Sequence, residues 1–347
     1  MNQHRYQFYS VIVPSYNRED EIRELLASFE KLDFPADRYE LIIADDGSTD
    51  STAALVQRVQ KNCSFDLQFF RQENKGPGAA RNMGMQHARG DMFIFIDSDC
   101  TVAPNWLAAI DRDVNAQNAD AFGGPDSFRD DFPPLLKAIN YSMTSFITTG
   151  GIRGHKKKSL GKYYPRSFNM GLSRKVYETI GGFGSLRHGQ DIEFSHRILE
   201  SGAKTILISD AVVFHKRRTS LKKFFRQVFN WGVARINLYK IDEKMLELVH
   251  ALPAIATAGL ILLILASLLL SPVWTIAKWL FLAGLAVLAL SGIHAGLQYR
   301  IAAVALLTPL VMPIQVIGYG LGFISAYIRR IILGGDEFTG FRKRYYQ

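Results

Sequence analysis

The chain has 347 residues, enough for two domains, and carries a formal net charge of +9. Its mean hydropathy of +0.02 averages a charge-rich stretch up to about Met245 and a later stretch dominated by Leu, Ala and Ile. Cys63 and Cys100 are too few for a disulfide framework or a metal clip, which favours a reduced compartment. No RNP, zinc-finger or homeodomain pattern accompanies the basic residues, which argues against nucleic-acid binding.

Short apolar runs alternate with helical patterns in the first half of the chain. Residues 11–14, 41–44 and 92–96 are predicted strands, and residues 69–70 are a shorter candidate. Strands that alternate with helices predict an α/β fold with a parallel sheet and right-handed crossovers. Ligands of such sheets bind beyond the carboxyl ends of the strands, which is where polar motifs occur in this sequence.

Residues 220–248 have an amphipathic pattern in which aromatic and aliphatic side chains alternate with cations such as Lys222 and Arg226. Two explanations fit this pattern. The segment forms helices that lie in a membrane interface, or it forms a helix packed on the core of the soluble domain. Residues 1–10 lack the apolar core of a signal peptide, so the first domain is predicted to stay where it is made.

Three apolar stretches follow. Residues 252–270 carry no charge and residues 273–291 carry only Lys278, so both are predicted to be transmembrane helices. Residues 301–327 contain two prolines and three glycines. A single crossing there would put the basic tail opposite the catalytic domain, against the positive-inside rule. We therefore expect a broken, re-entrant or doubled-back path for this stretch.

Carboxylates follow two of the predicted strands. Asp97 and Asp99 are hard oxygen ligands that suit Mg²⁺ or Mn²⁺, and a divalent ion would stabilise a diphosphate leaving group. The alternative for this pair is a capped turn. Asp45 and Asp46 either accept hydrogen bonds from a base or ribose, or cap the helix that follows.

Four further side chains have an open assignment. Arg81, after a glycine-rich turn, either reaches a phosphate or is a solvated surface residue. Asp191, taken alone, is a cap of a predicted helix, and only a resemblance to a known family makes it a candidate general base, with Glu193 as the second candidate. His215 ends a predicted strand and is either a surface histidine or, as the same resemblance implies, a metal or phosphate ligand.

Several short segments, in this order, resemble the successive motifs of the family 2 glycosyltransferases. They are VIVPSYN at 11–17, DDGSTD at 45–50, GAARN at 78–82, DSD at 97–99, NMG at 169–171 with GGF at 181–183, and GQDIE at 189–193. The resemblance extends from about Ser10 to Gly232. It implies a Rossmann-like GT-A fold and inverting transfer from a nucleoside diphosphate sugar.

The resemblance also implies roles for individual residues. Pro14, Tyr16 and Asp46 would hold the nucleoside, and Arg81 would lie near the nucleotide. Asp97 would contact the diphosphate, and Mg²⁺ or Mn²⁺ would be bound by Asp97, Asp99 and His215. Asp191 would be the general base. The implied donor is a nucleoside diphosphate sugar, with UDP favoured over GDP.

The predicted organisation is a GT-A domain at residues 1–215, amphipathic interface helices at 216–250, and a transmembrane region with a basic tail at 251–347. Processive members of the family carry Gln-x-x-Arg-Trp on an interfacial helix, and here Asn230 replaces the arginine. We therefore expect addition of a single sugar. Residues 11–14 lead into no Gly-x-Gly-x-x-Gly, which excludes a Rossmann dehydrogenase.

The expected acceptor is a lipid-linked or membrane-proximal saccharide in envelope or exopolysaccharide synthesis, because anchoring keeps the active site near a lipid carrier. The catalytic domain would lie on the cytoplasmic side of the plasma membrane, with multiple spans behind it. Two alternatives stay open. The chain loads a sugar onto a polyprenyl phosphate, or it is a catalytically silent membrane scaffold.

Overall fold

The computed structural model describes residues 5–127, 132–149, 163–215 and 220–341. The chain divides into two compact units. Described residues of the first unit lie within 5–127 and 164–215, and those of the second are 132–149, 163 and 220–341. Residues 132–149 therefore pack with the C-terminal apolar helices, which the sequence pattern did not predict. The three-part division of the chain stays a prediction.

The first unit is an α/β domain, as the sequence predicts. Its elements are β1 (Tyr9–Ser15), α1 (Glu19–Phe29), β2 (Tyr39–Asp45), α2 (Thr52–Gln60), β3 (Asp66–Arg71), α3 (Pro77–His87), β4 (Met92–Ile96), β5 (Cys100–Val102), α4 (Trp106–Ala116), β6 (Ala121–Gly123), β7 (Asp126–Ser127), β8 (Asn169–Ser173), α7 (Arg174–Ile180), α8 (Gln190–Glu200), β9 (Thr205–Leu207) and β10 (Val213–His215).

Within the described part of the chain, seven strands form the main sheet in the order β3-β2-β1-β4-β8-β6-β9. The first four are parallel, as expected from alternating strands and helices. β8 is antiparallel to both β4 and β6, so the whole sheet is mixed, while the four strands from which the parallel sheet was predicted are parallel. The crossover rule constrains consecutive strand-helix-strand units, and β8 does not follow such a unit.

The central strands are buried because helices cover both faces. On one face the apolar side of α1, which includes Leu25 and Phe29, packs on the sheet as its spacing predicts. On the other face α3 approaches closely at Gly84, where an added Cβ would overlap the side chain of Ile12. This close packing sets the position of α3 against the parallel half of the sheet.

A second, three-stranded sheet has the order β5-β10-β7. β10 is antiparallel to β5, with His215 opposite Cys100, and parallel to β7, with Val213 opposite Asp126. The segment that follows Asp97 is therefore joined by backbone pairing to β10, which in turn pairs with β7.

The second unit is helical. Its helices are α5 (Pro134–Thr144), α6 (Phe146–Thr149), α9 (Leu221–Tyr239), α10 (Leu248–Leu269), α11 (Ser271–Tyr299) and α12 (Ala302–Tyr327). Among the described residues, three helices are long and apolar enough to cross a membrane, at 248–269, 272–299 and 302–332. The two predicted transmembrane stretches correspond to α10 and α11.

The third apolar stretch is one continuous helix, so the expectation of a broken or doubled-back chain was wrong. Pro309 and Pro313 lie inside α12 without ending it. The hydroxyl of Thr308 donates to the carbonyl oxygen of Val304 at 2.8 Å, one turn back along the helix. In an apolar environment helix-breaking residues are tolerated where neighbouring helices and Ser or Thr side chains compensate.

The glycines of α12 allow close helix packing instead of interrupting the helix. An added Cβ at Gly322 would overlap the carbonyl oxygen of Phe229 in α9, and one at Gly318 would meet Val228. Gly320 faces α10 instead, where an added Cβ would overlap the hydroxyl of Thr257. Small residues at such positions let helix backbones approach in apolar surroundings.

Asn230, which replaces the arginine of the processive motif, holds the chain that follows α12. Its side-chain oxygen accepts a hydrogen bond from the backbone N–H of Phe341 at 3.1 Å. The ring of Phe341 lies 4.8 Å from that of Phe229. Farther along α9, Asn237 donates to the carbonyl oxygen of Phe338 at 2.9 Å.

We expect Gly322→Ala to destabilise the second unit by about 1–3 kcal/mol, because the added methyl group meets a backbone carbonyl that cannot move aside. Gly259→Ala in α10 is the matched control, since nothing lies within 4 Å of its added Cβ. In a helix the control exchange should be neutral or slightly stabilising. Thermal unfolding in detergent measures both, and equal midpoints would contradict the close packing of α12 on α9.

Candidate active site

The loops that follow β1 and β2 are tied together at the carboxyl edge of the sheet. Asn17 has a left-handed backbone (φ +50°), and its side-chain oxygen accepts a hydrogen bond from the N–H of Thr49 at 2.7 Å. The N–H of Asn17 donates to the hydroxyl of Ser48 at 2.8 Å. Pro14 is buried in β1, and Tyr16 directly follows the strand with part of its surface exposed. Of the predicted nucleoside residues, Pro14 thus lies near the end of β1 and Tyr16 begins the braced loop.

Asp45 and Asp46 are almost fully buried and hold loops of the protein. Asp45 accepts hydrogen bonds from the N–H and the hydroxyl of Ser48, which closes its own turn. Asp46 accepts from the N–H groups of residues 75 and 76 at 2.9 and 2.8 Å, and from Nε2 of Gln72 at 2.8 Å. A carboxylate has about four acceptor sites. The three hydrogen bonds that Asp46 accepts fix the turn that leads into α3.

Arg81 and Asp97, both predicted site residues, form an ion pair. Nη2 of Arg81 lies 2.5 Å from Oδ1 of Asp97, and Arg81 is only 5% exposed. Its guanidinium carbon lies 5.3 Å from the centre of the Phe183 ring. Nε of Arg81 is buried and has no hydrogen-bond partner among the described residues. A buried cationic N–H of this kind matches the acceptor oxygens of an anionic ligand.

Asn82, which follows Arg81 in α3, joins this helix to the glycine-rich segment at 181–184, which precedes α8. Nδ2 of Asn82 donates to the carbonyl oxygen of Phe183 at 2.9 Å, and Oδ1 of Asn82 accepts from the N–H of Phe183 at 2.7 Å. At the start of α3, an added Cβ on Gly78 would overlap the side chain of Gln190. The first turns of α3 and α8 are therefore neighbours.

Carboxylates surround the start of β5. Burial, and then the charges of Asp99, Asp97 and Asp126 in that order, raise the pKa of the Cys100 thiol well above its usual range. Asp126 was missed by the sequence reasoning, although its position directly after a Gly-Gly-Pro turn is a usable signal. His215 is paired with Cys100 through the backbone, and the structure describes no more of His215 than that.

Among the described residues, no group of three or more His, Cys, Asp or Glu side chains is arranged to hold a metal ion. Asp97, which pairs with the buried Arg81, and Asp99, two residues later, nevertheless supply hard oxygen donors. Mg²⁺ is commonly bound by one or two carboxylates together with the phosphates of a substrate. The donor set therefore fits an ion shared with a diphosphate better than a cage made by protein alone.

Two carboxylates in the first turn of α8 have different partners. Both oxygens of Glu193 pair with Arg197, at 2.5 and 3.0 Å, and the Glu193 side chain is 12% exposed. Arg197 also donates to the carbonyl oxygens of residues 180 and 182. Glu193 therefore holds the arginine that ties the loop at 180–182 to α8. Asp191 is 26% exposed, and its Oδ2 lies 3.1 Å from Nη1 of Arg166. Asp191 is thus the more accessible of the two candidate bases.

Arg166 was also missed by the sequence reasoning, because it lies 25 residues from Asp191 and belongs to no motif. Its backbone is fixed locally. The hydroxyl of Ser195 in α8 donates to the carbonyl oxygen of Pro165 at 2.6 Å, and the N–H of Asn169 donates to that of Arg166 at 2.9 Å. Arg166 is therefore well placed to orient the Asp191 carboxylate.

Five of the predicted site residues fall at one edge of the first unit. Tyr16, Asp46 and Asp97 follow β1, β2 and β4, which are neighbouring parallel strands, so these residues share the carboxyl edge. Asp97 contacts Arg81 directly. Asp191 comes one residue after Gln190, which packs on the first turn of α3. Residues from five separate segments are thus brought together by the fold.

The chain is similar in sequence to known glycosyltransferases. The chain is 25% identical over 246 residues to the glycosyltransferase AglE of Haloferax volcanii, covering 71% of this chain and 78% of that protein. It is 40% identical over 91 residues to the poly(ribitol-phosphate) beta-N-acetylglucosaminyltransferase TarS of Staphylococcus aureus, which covers 26% of this chain and only 16% of TarS.

Among solved structures, the mannosyltransferase PcManGT of Pyrobaculum calidifontis, in complex with GDP-Man and Mn²⁺, has a similar fold. The TM-score is 0.60 at 20% identity, over 93% of this chain and 88% of that one. The sequence model of "Glycosyl transferase family 2" matches residues 10–181, the range that contains the strand-end carboxylates and α3. By this match, residues 10–181 form a domain of glycosyl transferase family 2, and the similarity to the glycosyltransferase AglE extends over 71% of the chain.

Proposed function

We propose that this glycosyltransferase transfers one sugar, with inversion, from a nucleoside diphosphate sugar to a saccharide hydroxyl carried by a lipid or held near the membrane. The observation that carries the proposal is the meeting of Arg81 with Asp97 beside the helix that bears Asp191. An anion-binding group, metal-binding carboxylates and an accessible base would then stand around one reacting centre.

The edge of the sheet also carries polar atoms that a sugar nucleotide would satisfy. Nε of Arg81 and the hydroxyl of Ser15 are buried without hydrogen-bond partners among the described residues. Buried polar groups are normally paired, so each such exception needs an explanation such as a ligand. Pro14, Tyr16 and Asp46 would border the nucleoside, since they lie at the ends of β1 and β2.

Asp97 and Asp99 would hold Mg²⁺ or Mn²⁺, with His215 as a further ligand. When bound, the ion would neutralise the charge that builds up on the diphosphate leaving group. Arg81 would orient the same diphosphate. PcManGT, whose fold is similar, was solved with GDP-Man and Mn²⁺. The donor set of this chain supports a similar dependence on a divalent ion.

Asp191 would take the proton of the acceptor hydroxyl. The acceptor oxygen forms a bond to the anomeric carbon, the bond from that carbon to the diphosphate oxygen breaks, and the electron pair leaves with the nucleoside diphosphate. Arg166 would hold the Asp191 carboxylate in place during the step. An acceptor phosphate is already ionised at neutral pH, so a transferase that loads a sugar onto a polyprenyl phosphate would not need this base.

The apolar helices of the second unit support an acceptor at a membrane. Three described helices are long and apolar enough to span a bilayer. The proposal places the enzyme in the plasma membrane, with residues 1–215 as the catalytic domain on the cytoplasmic side. A related protein of Methanococcus voltae, 24% identical over 239 residues, is named for glucuronosyl transfer to a dolichyl-phosphate-linked sugar.

Asp191→Asn should lower kcat by about 100- to 10,000-fold, the usual contribution of a general base, and leave donor binding nearly intact. Asp210→Asn is the matched control, because Asp210 is an exposed carboxylate paired with Arg112 at the surface. Steady-state transfer and nucleotide titration measure the two effects. Transfer that survives in Asp191→Asn would show that another residue is the base, or that the acceptor is an ionised phosphate.

A thermal-shift panel of UDP- and GDP-sugars, with and without Mn²⁺, should identify the donor. A ligand at 100 times its Kd stabilises the folded state by about 2.7 kcal/mol. We expect the largest shift with a UDP-sugar plus Mn²⁺, and Asp99→Asn should lose the Mn²⁺-dependent part. Asp33→Asn, an exposed carboxylate on the same unit, should keep it. A shift that is independent of Mn²⁺ in the natural protein would argue against a shared metal.

Purified enzyme given donor and acceptor should add one sugar residue. The side chain of Asn230 is bonded to the backbone of Phe341. Because residue 230 is an asparagine and not the arginine of processive members, it offers no guanidinium to a growing glycan. Mass spectrometry of the products distinguishes one addition from many, and a ladder of lengths would contradict the proposal.

A further inference from the structure

The three long apolar helices differ sharply in their surroundings. α10 is buried only in its first turns, at His250, Ala254 and Thr257. Beyond them most of its apolar side chains are exposed, for example Leu268 (74%). Most apolar side chains in the first two thirds of α11 are exposed too, for example Trp274 (61%) and Trp279 (66%). By contrast, no residue from 311 to 326 of α12 is exposed. A membrane span in so small a bundle should present one face to lipid.

α12 contacts the hairpin formed by α10 and α11 at its open end, near the start of α10 and the end of α11. The hydroxyl of Tyr319 donates to the carbonyl oxygen of His250 at 3.0 Å, in the first turn of α10. Added Cβ atoms on Gly292 or Gly296, in the last turns of α11, would meet Ala305. Ala305 and Tyr319 are 14 residues apart, about 21 Å along a helix. α12 therefore runs across the open end of the hairpin.

The other neighbours of α12 are unsuited to the hydrocarbon core. α5 has only 11 residues and packs near the middle of α12, where the Ser142 hydroxyl donates to Oε1 of Gln315 at 2.8 Å. α9 packs on the second half of α12 and carries several cations, namely Lys222, Lys223, Arg226 and Arg235. A cation at the centre of a bilayer costs about 2.5–3.5 kcal/mol or more, and unpaired helix ends cost several kcal/mol.

We propose that only α10 and α11 cross the membrane, and that α12 lies in the membrane surface together with α5 and α9. The inference rests on the proposed membrane attachment and concerns its topology. α10 has 22 residues, about 33 Å, and thus matches a hydrocarbon core of about 30 Å. Leu306 and Leu310, 76% and 60% exposed, would face acyl chains.

Two crossings return the chain to the side on which it started. Arg329 and Arg330, which follow α12, then lie on the same side as the cations of α9, in agreement with the positive-inside rule. Arg330 is bonded to Asn237 near the end of α9, at 2.9 Å. Cations at this depth would meet lipid phosphates, each worth about 1 kcal/mol on an anionic surface.

Cysteine labelling in intact bacterial cells tests this topology on the full chain. Cys63→Ser and Cys100→Ala provide a cysteine-free background, and single cysteines are then placed by Asp20→Cys, Leu270→Cys and Asp336→Cys. Leu270 lies in the turn between α10 and α11, and Asp336 lies in the exposed segment after α12. An impermeant maleimide should label the Leu270→Cys protein in intact cells and the other two only after lysis.

Labelling of Asp336→Cys but not Asp20→Cys in intact cells would show three crossings and overturn the inference, while the membrane attachment would stand. Failure to label Leu270→Cys, together with extraction of the protein by alkaline carbonate, would overturn the attachment itself. A C-terminal fusion of the natural sequence gives an independent readout that needs no cysteine variant. We expect fluorescence from a green fluorescent protein fusion and no activity from an alkaline phosphatase fusion, and the reverse would overturn the inference.

Discussion

The ion pair between Arg81 and Asp97 is the contact on which the site depends. A buried guanidinium that loses its carboxylate partner is left without charge compensation, so the two side chains fix each other. Arg81 belongs to α3, and Asp97 ends β4, so the pair locks the helix to the edge of the sheet. Through Asn82 the same turn of α3 holds the backbone of Phe183. One helical turn thus joins the strand edge to the segment that leads into α8.

The carboxylates of the site divide into those that hold loops and those that stay accessible. The carboxylate oxygens of Asp45 and Glu193 accept hydrogen bonds from protein donors. Those of Asp46 are almost completely occupied in the same way. Asp97 pairs with Arg81 and Asp191 pairs with Arg166, and they keep 31% and 26% of their side-chain surface exposed. This division matters because a carboxylate bound on both oxygens is a poor base and a poor metal ligand.

The helical unit follows a different constraint, which is that buried polar groups need partners where water is absent. Tyr141 of α5 pairs with His294 of α11 at 2.9 Å, and Asn140 donates to the hydroxyl of Tyr299 at 2.8 Å. Each bond joins the short α5 to the foot of a long apolar helix. Together with the glycine contacts of α12, these bonds specify how an otherwise uniform apolar surface packs.

The sequence alone determined the order of strands and helices, the apolar segments, and the motif residues at the strand ends. Local periodicity and the chain order of short motifs carry that information, since both arise within a few residues. Most of the α/β fold and the positions of Asp97, Arg81 and Tyr16 at its edge could be predicted in this way.

Tertiary structure decided what periodicity does not encode. It set β8 antiparallel to β4 and packed residues 132–149 with the apolar helices. It also brought Arg166 into contact with Asp191, which is 25 residues away in sequence. It also made α12 a continuous helix, where two prolines and three glycines predicted an interruption. The physical reason is common to all four: a pairing or a tolerated breaker depends on the neighbour that satisfies it, and distant segments supply that neighbour.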